Sequence, residues 1–232
     1  MDMNINELAT HFRAPAFPGS YFLSFEGIEG AGKSTQITKL QEYLENKNFR
    51  VLVLREPGGT VFGEKLRQAI LNSQSPIHPV AELHLFASSR AQLLQEVTLK
   101  ELAIPNTVII YDRYIDSTLA YQGVARSLGM ETVLQTHLSF PLTLTPHLTF
   151  YLRIPADLSH SRQKMRNAPK DYFEKQGQNF YDKLVEGYDR SAEIFSDRIK
   201  IINGTQDLDR VHQDIVAQVE TLLTHSQEKS DI

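Results

Sequence analysis

The 232-residue chain contains no cysteine. Disulfides, thiolate catalysis and zinc–thiolate sites are therefore excluded, and a reducing compartment is permitted. Long hydrophobic runs are missing as well: no stretch approaches the roughly 18 apolar residues of a membrane helix. The first residues lack the basic region and long apolar core of a secretory leader, so a cytoplasmic location is expected. An excess of one charge is also lacking. Lys and Arg number 24 against 28 Asp and Glu, a net charge of −4. That balance gives no general affinity for nucleic acid polymers or membranes, so any anion site must be local. The eight histidines show no H-x-x-x-H pair or other ligand spacing and read as structural or surface residues. There is no internal repeat. The apolar fraction of 41% and charged fraction of 22% suit one globular domain with ample core.

What is present is an alternation. Residues 1–20 read as an N-terminal extension, a surface appendage in which "NINELATHF" forms a short helix that "RAPAFPGS" breaks. Tyr21–Gly27 is an apolar, aromatic run ending in glycine, the pattern of a buried strand. Lys33–Asn46 carries Ile37, Leu40 and Leu44 at helical spacing. "RVLVLREPGG" is a second strand, Phe62–Leu71 a helix, and Val80 to about Leu102 a long helix. "NTVIIYDRY", "HLTFYLRI" and "RIKIING" supply three more strands. Between them lie helices over Ala120–Ser139, broken at Gly129, and over the charged stretch Asp157–Arg198, interrupted at "NAPKD". Leu208–Leu223 closes with a helix, and 226–232 read as a frayed tail. Short apolar strands alternating with helices predict an α/β fold: a five-stranded parallel sheet with helices on both faces, in three layers. The domain spans 21–225.

The chemistry starts at "FEGIEGAGKST". Gly27, Gly32, Lys33 and Ser34 fit G-x-x-x-x-G-K-S/T, with a strand before and a helix after. Glycines let successive N–H groups converge on phosphate oxygens, and the helix N-terminus adds positive potential. Gly30, Ala31 and Thr35 complete the cradle. Lys33 neutralises charge between the β and γ phosphates of a nucleoside triphosphate, and Ser34 can ligate Mg²⁺. A GTPase would carry D-x-x-G and N-K-x-D, but the third strand here ends "YDRYIDS" and the fifth "NGTQD". The paired acids of a motor ATPase are missing too. A kinase needs a second pocket and extra arginines to hold two anions together. Arg55, Arg67, Arg90 and Arg113 stand at strand ends or on nearby helices, where open α/β sheets bind ligands.

"FEGIEGAGKST", "REPGGT", "EKLRQAIL", "LFASSRAQ" and "DRYIDSTLAYQG" together resemble the motif series of the bacterial thymidylate kinases, in the same order. The likeness is strong over Tyr21–Gln122, weak through the LID (about 157–176), and returns at "IING". It implies a P-loop NTPase fold with a small helical LID, and transfer of the γ-phosphoryl of ATP to thymidine monophosphate (dTMP), giving dTDP for dTTP synthesis. Another nucleoside-monophosphate kinase, for UMP or deoxynucleotides broadly, and a non-catalytic nucleotide-binding regulator are the alternatives. It further implies a homodimer.

By the same resemblance, Phe86 stacks on the thymine ring, Arg90 donates to its carbonyl, and Thr118 lies at ring N3. Tyr121 crowds the sugar 2′ carbon, with Gln122 bordering the base. Arg67 and Arg113 hold the acceptor phosphate, as guanidinium forks suit phosphate oxygens. Glu29 lies near the sugar hydroxyl and the metal-bound water. Asp112 either holds a metal-bound water or orients Arg113. A cis Glu56–Pro57 bond shapes the acceptor pocket. Family members without a P-loop arginine supply one from the LID, in R-x-R-x-x-x-x-D-R-x-E. With Ala31 in the loop, the LID cation must come from "SRQKMRNAPKDYFEKQ". There Asp171 and Glu174 match, and Tyr172 stands where arginine is usual. Arg162, Arg166 and Lys170 are the candidates, Arg166 the favoured one.

Overall fold

The computed structural model describes residues 3–165, 172–173 and 177–228. Helix α1 (Ile5–Ala9) is closed by a capping box. Asn4 Oδ1 accepts from the Asn6 and Glu7 amides, and Glu7 Oε2 accepts from the Asn4 amide. Then follow β1 (Tyr21–Glu26), α2 (Lys33–Asn46), β2 (Arg50–Arg55), α3 (Val61–Leu71) and α4 (Pro79–Leu93). A π turn, Leu94–Thr98, joins α4 to α5 (Leu99–Leu102). Next come β3 (Thr107–Asp112), α6 (Ile115–Thr118) with a π segment Leu119–Ala125, and α7 (Met130–Thr136). The chain ends with β4 (Leu148–Arg153), α8 (Ala156–Met165), α9 (Gln178–Ile194), β5 (Ile199–Asn203) and α10 (Leu208–Glu228).

All five strands run parallel in the order β2-β3-β1-β4-β5. Side chains alternate across a sheet, so a strand buried at every position is covered on both faces. β1 is buried throughout, and β3 and β4 at all but their last residue. Edge strand β2 is half exposed, with Val53 open to solvent. Aromatic side chains fill the layer beside β1: Phe22 meets the rings of Tyr111 and Tyr114 at 5.0 Å, and Phe25 that of Phe150 at 5.1 Å. The chain passes from β1 outward to β2 on one side and later to β4 on the other. The crevice at the carboxyl end of β1 and β3 is therefore the expected ligand site.

Three expectations need correction. The segment before β1 is packed down: Leu8 is fully buried, Phe12 meets Phe195 edge-on at 6.4 Å, and Arg13 exchanges backbone hydrogen bonds with Thr143 and Thr145. The helical stretch expected from Ala120 begins at Ile115, and a π segment carries it through Tyr121. The last helix extends to Glu228, into the stretch read as frayed. The interruption at "NAPKD" lies outside the described residues.

Candidate active site

Between β1 and α2 the chain turns at Gly27, Gly30 and Gly32, all at positive φ. Two of these need glycine for separate reasons. At Gly27 a Cβ would stand 2.6 Å from the Leu152 carbonyl oxygen. At Gly32 there is space, but φ is +96°, and this residue is the N-cap of α2. It offers no side chain to the first N–H groups of the helix, which leaves them for an anion. Lys33 Nζ donates to the carbonyls of Gly27 at 2.8 Å and Ile28 at 3.3 Å. Burial, joined by the charge of Arg113, lowers the Lys33 pKa to about 8. Ala31 is buried beneath the loop, while Ser34 and Thr35 face solvent at the start of α2.

β3 delivers Asp112 and Arg113 to the same end of the sheet. Arg113 has a positive φ of 71°, a strained value for a side chain of its size. Its guanidinium donates to Glu29 Oε1 at 2.7 Å, the Tyr188 hydroxyl at 2.9 Å, the Gly27 carbonyl at 3.1 Å and Ser117 Oγ at 3.2 Å. Glu29 Oε1 also accepts from the Tyr121 hydroxyl at 2.7 Å. Burial opposes ionisation of Glu29, but Arg113 and Lys33 outweigh it and hold its pKa below the ordinary value. Behind Arg113 lies Glu26, fully buried, accepting from the Tyr114 amide at 2.7 Å and Ser117 Oγ at 2.6 Å. Burial, reinforced by the nearby charge of Asp116, pushes Glu26 up to about 8.

Glu56, Arg67, Phe86, Arg90, Arg113, Thr118, Tyr121 and Gln122 all line one cavity, together with Glu29 and Asp112. They come from α3, α4, the carboxyl ends of β2 and β3 and the residues just after them, the loop before α2, and the Ile115–Ala125 segment. Arg67 Nη1 donates to the Pro57 carbonyl at 3.0 Å, and the Glu56–Pro57 peptide is cis, as expected. Arg90 is fully buried, its guanidinium 4.9 Å from the Tyr114 ring centre. Its Nε donates to Glu56 Oε2 at 2.8 Å and its Nη2 to Thr118 Oγ1 at 3.0 Å. Burial pushes the Glu56 carboxyl up to about 7, against the pull of Arg90. Gln122 Nε2 donates to Glu82 Oε1 at 2.7 Å, so its amide is anchored beneath the cavity wall.

Among the residues of the cavity wall, sequence reading missed Phe173. Phe173 lines the cavity, 5.3 Å from the Tyr121 ring and 6.2 Å from that of Phe86. An aromatic residue inside an otherwise charged stretch was the available signal. Tyr172 packs its ring 5.6 Å from the Arg126 guanidinium, and its hydroxyl accepts from the Ile77 amide at 3.3 Å. The residue that departs from the family pattern thus docks beside α4. Arg162 Nη1 donates to the Gly30 carbonyl at 2.9 Å, placing a LID cation against the phosphate loop. The favoured Arg166, with Lys170, Asp171 and Glu174, lies outside the described residues.

An oxygen-only cation site fits here. Asp112 Oδ1 and Glu29 Oε2 are buried without a hydrogen-bond partner, and Ser34 and Asp112 line one depression. Among the described residues Asp112 is not a hydrogen-bond partner of Arg113. No group of three or more His, Asp or Glu among the described residues could hold a metal alone. That suits Mg²⁺, which typically binds one or two protein ligands plus substrate phosphates.

A family model for thymidylate kinase matches residues 25–215. The chain belongs to the thymidylate kinase family. The thymidylate kinase of Thermoanaerobacter sp. (strain X514) is 41% identical over 202 residues, covering 87% of this chain and 98% of the relative. That of Caldanaerobacter subterraneus subsp. tengcongensis is 42% identical over 202 residues, covering 87% of this chain and 96% of the relative. That of Acholeplasma laidlawii is 42% identical over 200 residues, covering 85% and 98%. Membership accounts for the order of the motifs along the chain.

Proposed function

We propose that this chain transfers the γ-phosphoryl group of ATP to dTMP, giving ADP and dTDP, with Mg²⁺. The observation that carries the proposal is a shared wall. Glu29, inside the phosphate loop, lines the same cavity as Phe86, Arg90 and Thr118. A nucleotide on the loop and an acceptor in the cavity would meet at Arg113.

Phosphoryl transfer asks for alignment and charge neutralisation, with no side-chain nucleophile. The α2 N-terminus and Lys33 hold the donor phosphates. Arg67 and Arg113 hold the acceptor phosphate, and Glu29 fixes Arg113 from the donor side. Phe86 supplies the flat apolar face for the base. Ser34 and, through water, Asp112 would hold Mg²⁺, which would neutralise charge on the phosphate oxygens. Tyr121, whose hydroxyl is tied to Glu29, would crowd a 2′-hydroxyl and so favour deoxyribose. Arg162 is the described LID cation nearest the donor loop, and Arg166 remains a second candidate. A homodimer and a cytoplasmic location belong to the same reading; Val61 and Phe62 of α3 are exposed and available for a subunit contact.

Phosphorus NMR of a mixture of protein, ATP, dTMP and Mg²⁺ tests the reaction. Equal amounts of ADP and dTDP should appear, and omission of Mg²⁺ should stop both. ADP with inorganic phosphate and no dTDP would reject the acceptor.

A further inference from the structure

We propose that His137 is a positioning residue for Arg90 and, through it, sets the base preference of the acceptor pocket. This rests on the reading of that cavity as a nucleotide acceptor site. His137 is the C-cap of α7 and is completely buried. Its Nδ1 stands 2.7 Å from the Val133 carbonyl oxygen and its Nε2 2.8 Å from Arg90 Nη1. A carbonyl can only accept and a guanidinium can only donate. Nδ1 therefore carries the proton and Nε2 is the bare acceptor. Burial, helped by the charge of Arg90, lowers the His137 pKa to about 3, so the ring stays neutral at working pH.

The donor accounting at Arg90 gives this contact its consequence. A guanidinium has five N–H groups in one rigid plane. The Nε and Nη2 groups are directed to Glu56 and Thr118. One Nη1 hydrogen goes to His137, which leaves one for the cavity that Arg90 lines. Pinned on three sides, the plane cannot turn, so the remaining donor has a fixed direction. A base with a carbonyl oxygen there is accepted. A base with an amino group there sets donor against donor, a mismatch that a site built on hydrogen bonds rejects strongly.

The test compares substitutions at His137, with steady-state kinetics on dTMP and deoxycytidylate. In His137→Gln the amide Oε1 reaches the place of Nε2; in His137→Asn the shorter side chain does not; His137→Leu has no acceptor. Asn and Leu should raise KM for dTMP by about 10- to 100-fold, with kcat and KM for ATP within about threefold of wild type. They should also cut the preference for dTMP over deoxycytidylate by about tenfold or more. Gln should stay within about threefold of wild type on all counts. Equal behaviour of Gln and Asn, or unchanged KM and preference in a folded Leu variant, overturns the proposal. Nitrogen-15 NMR of the imidazole in wild-type protein checks the contact without any substitution. The proposal requires a proton on Nδ1, none on Nε2, and no titration between pH 8 and 5; a protonated Nε2 overturns it. If wild-type protein fails to phosphorylate dTMP, the functional reading falls, and the imidazole spectrum still decides the link to Arg90.

Discussion

Lys33 and Glu26, at the carboxyl end of the sheet, are buried and each held by two hydrogen-bond partners, which makes their removal informative. Lys33 is the sharpest case. Its ammonium is buried against the loop that would hold the phosphates. Lys33→Ala should lower kcat by about 10²–10³-fold while thermal unfolding stays cooperative, since one preorganised charge at a developing anion is worth that much. Near wild-type turnover by the folded variant would remove Lys33 from the chemistry. Glu26 gives a pH prediction. Its pKa is raised above the ordinary carboxyl value to about 8, so the folded chain binds a proton that the unfolded chain has lost. Its contribution to stability is then complete below about pH 4.5 and shrinks as pH rises toward 8, by up to about 1.4 kcal/mol per pH unit. Glu26→Gln should flatten that part of the stability curve in urea titrations. A variant curve parallel to wild type from pH 5 to 8 would contradict the assignment.

At the scale of elements, the strands and the phosphate loop were open to sequence reading, because their signals are local. Lys33–Asn46 was expected and found as one helix, since Gly32 marks its start and Ile37, Leu40 and Leu44 its buried stripe. The resemblance of five short motifs named residues that the fold brings together in one cavity. What stayed hidden depends on partners far apart in the chain. Arg90 and His137 are separated by 47 residues, and no spacing rule links them. The π segments left no mark either, because a widened turn keeps nearly the same apolar periodicity. Packing of the first helix was missed because its single buried side chain, Leu8, makes no stripe. Leu8→Ala should destabilise the domain by about 2–5 kcal/mol, as for other fully buried leucines. An unchanged melting temperature would mean that α1 is the loose appendage first expected.

Across the whole molecule, one buried ion pair ties the β3 end to the opposite edge. Arg198, just before β5, donates to Asp116 at 2.7 and 2.8 Å and to Thr149 Oγ1 at 2.8 Å. Asp116→Ala would leave the Arg198 charge buried without its partner and should cost about 3–5 kcal/mol in denaturant titrations. A loss below about 1 kcal/mol would show that water replaces the carboxylate there. The carboxyl end of the sheet carries the phosphate loop and the cavity lined by Arg67, Phe86, Arg90 and Arg113, and the central claim is that these serve one transfer. The most direct measurement is coupled ADP release with ATP and Mg²⁺ across dTMP, deoxyuridylate, uridylate, deoxycytidylate and adenylate. The account predicts the highest kcat/KM for dTMP, with uridylate rejected at Tyr121 and deoxycytidylate at Arg90. A higher value for any other acceptor, or ATP binding without turnover of any of them, would contradict it.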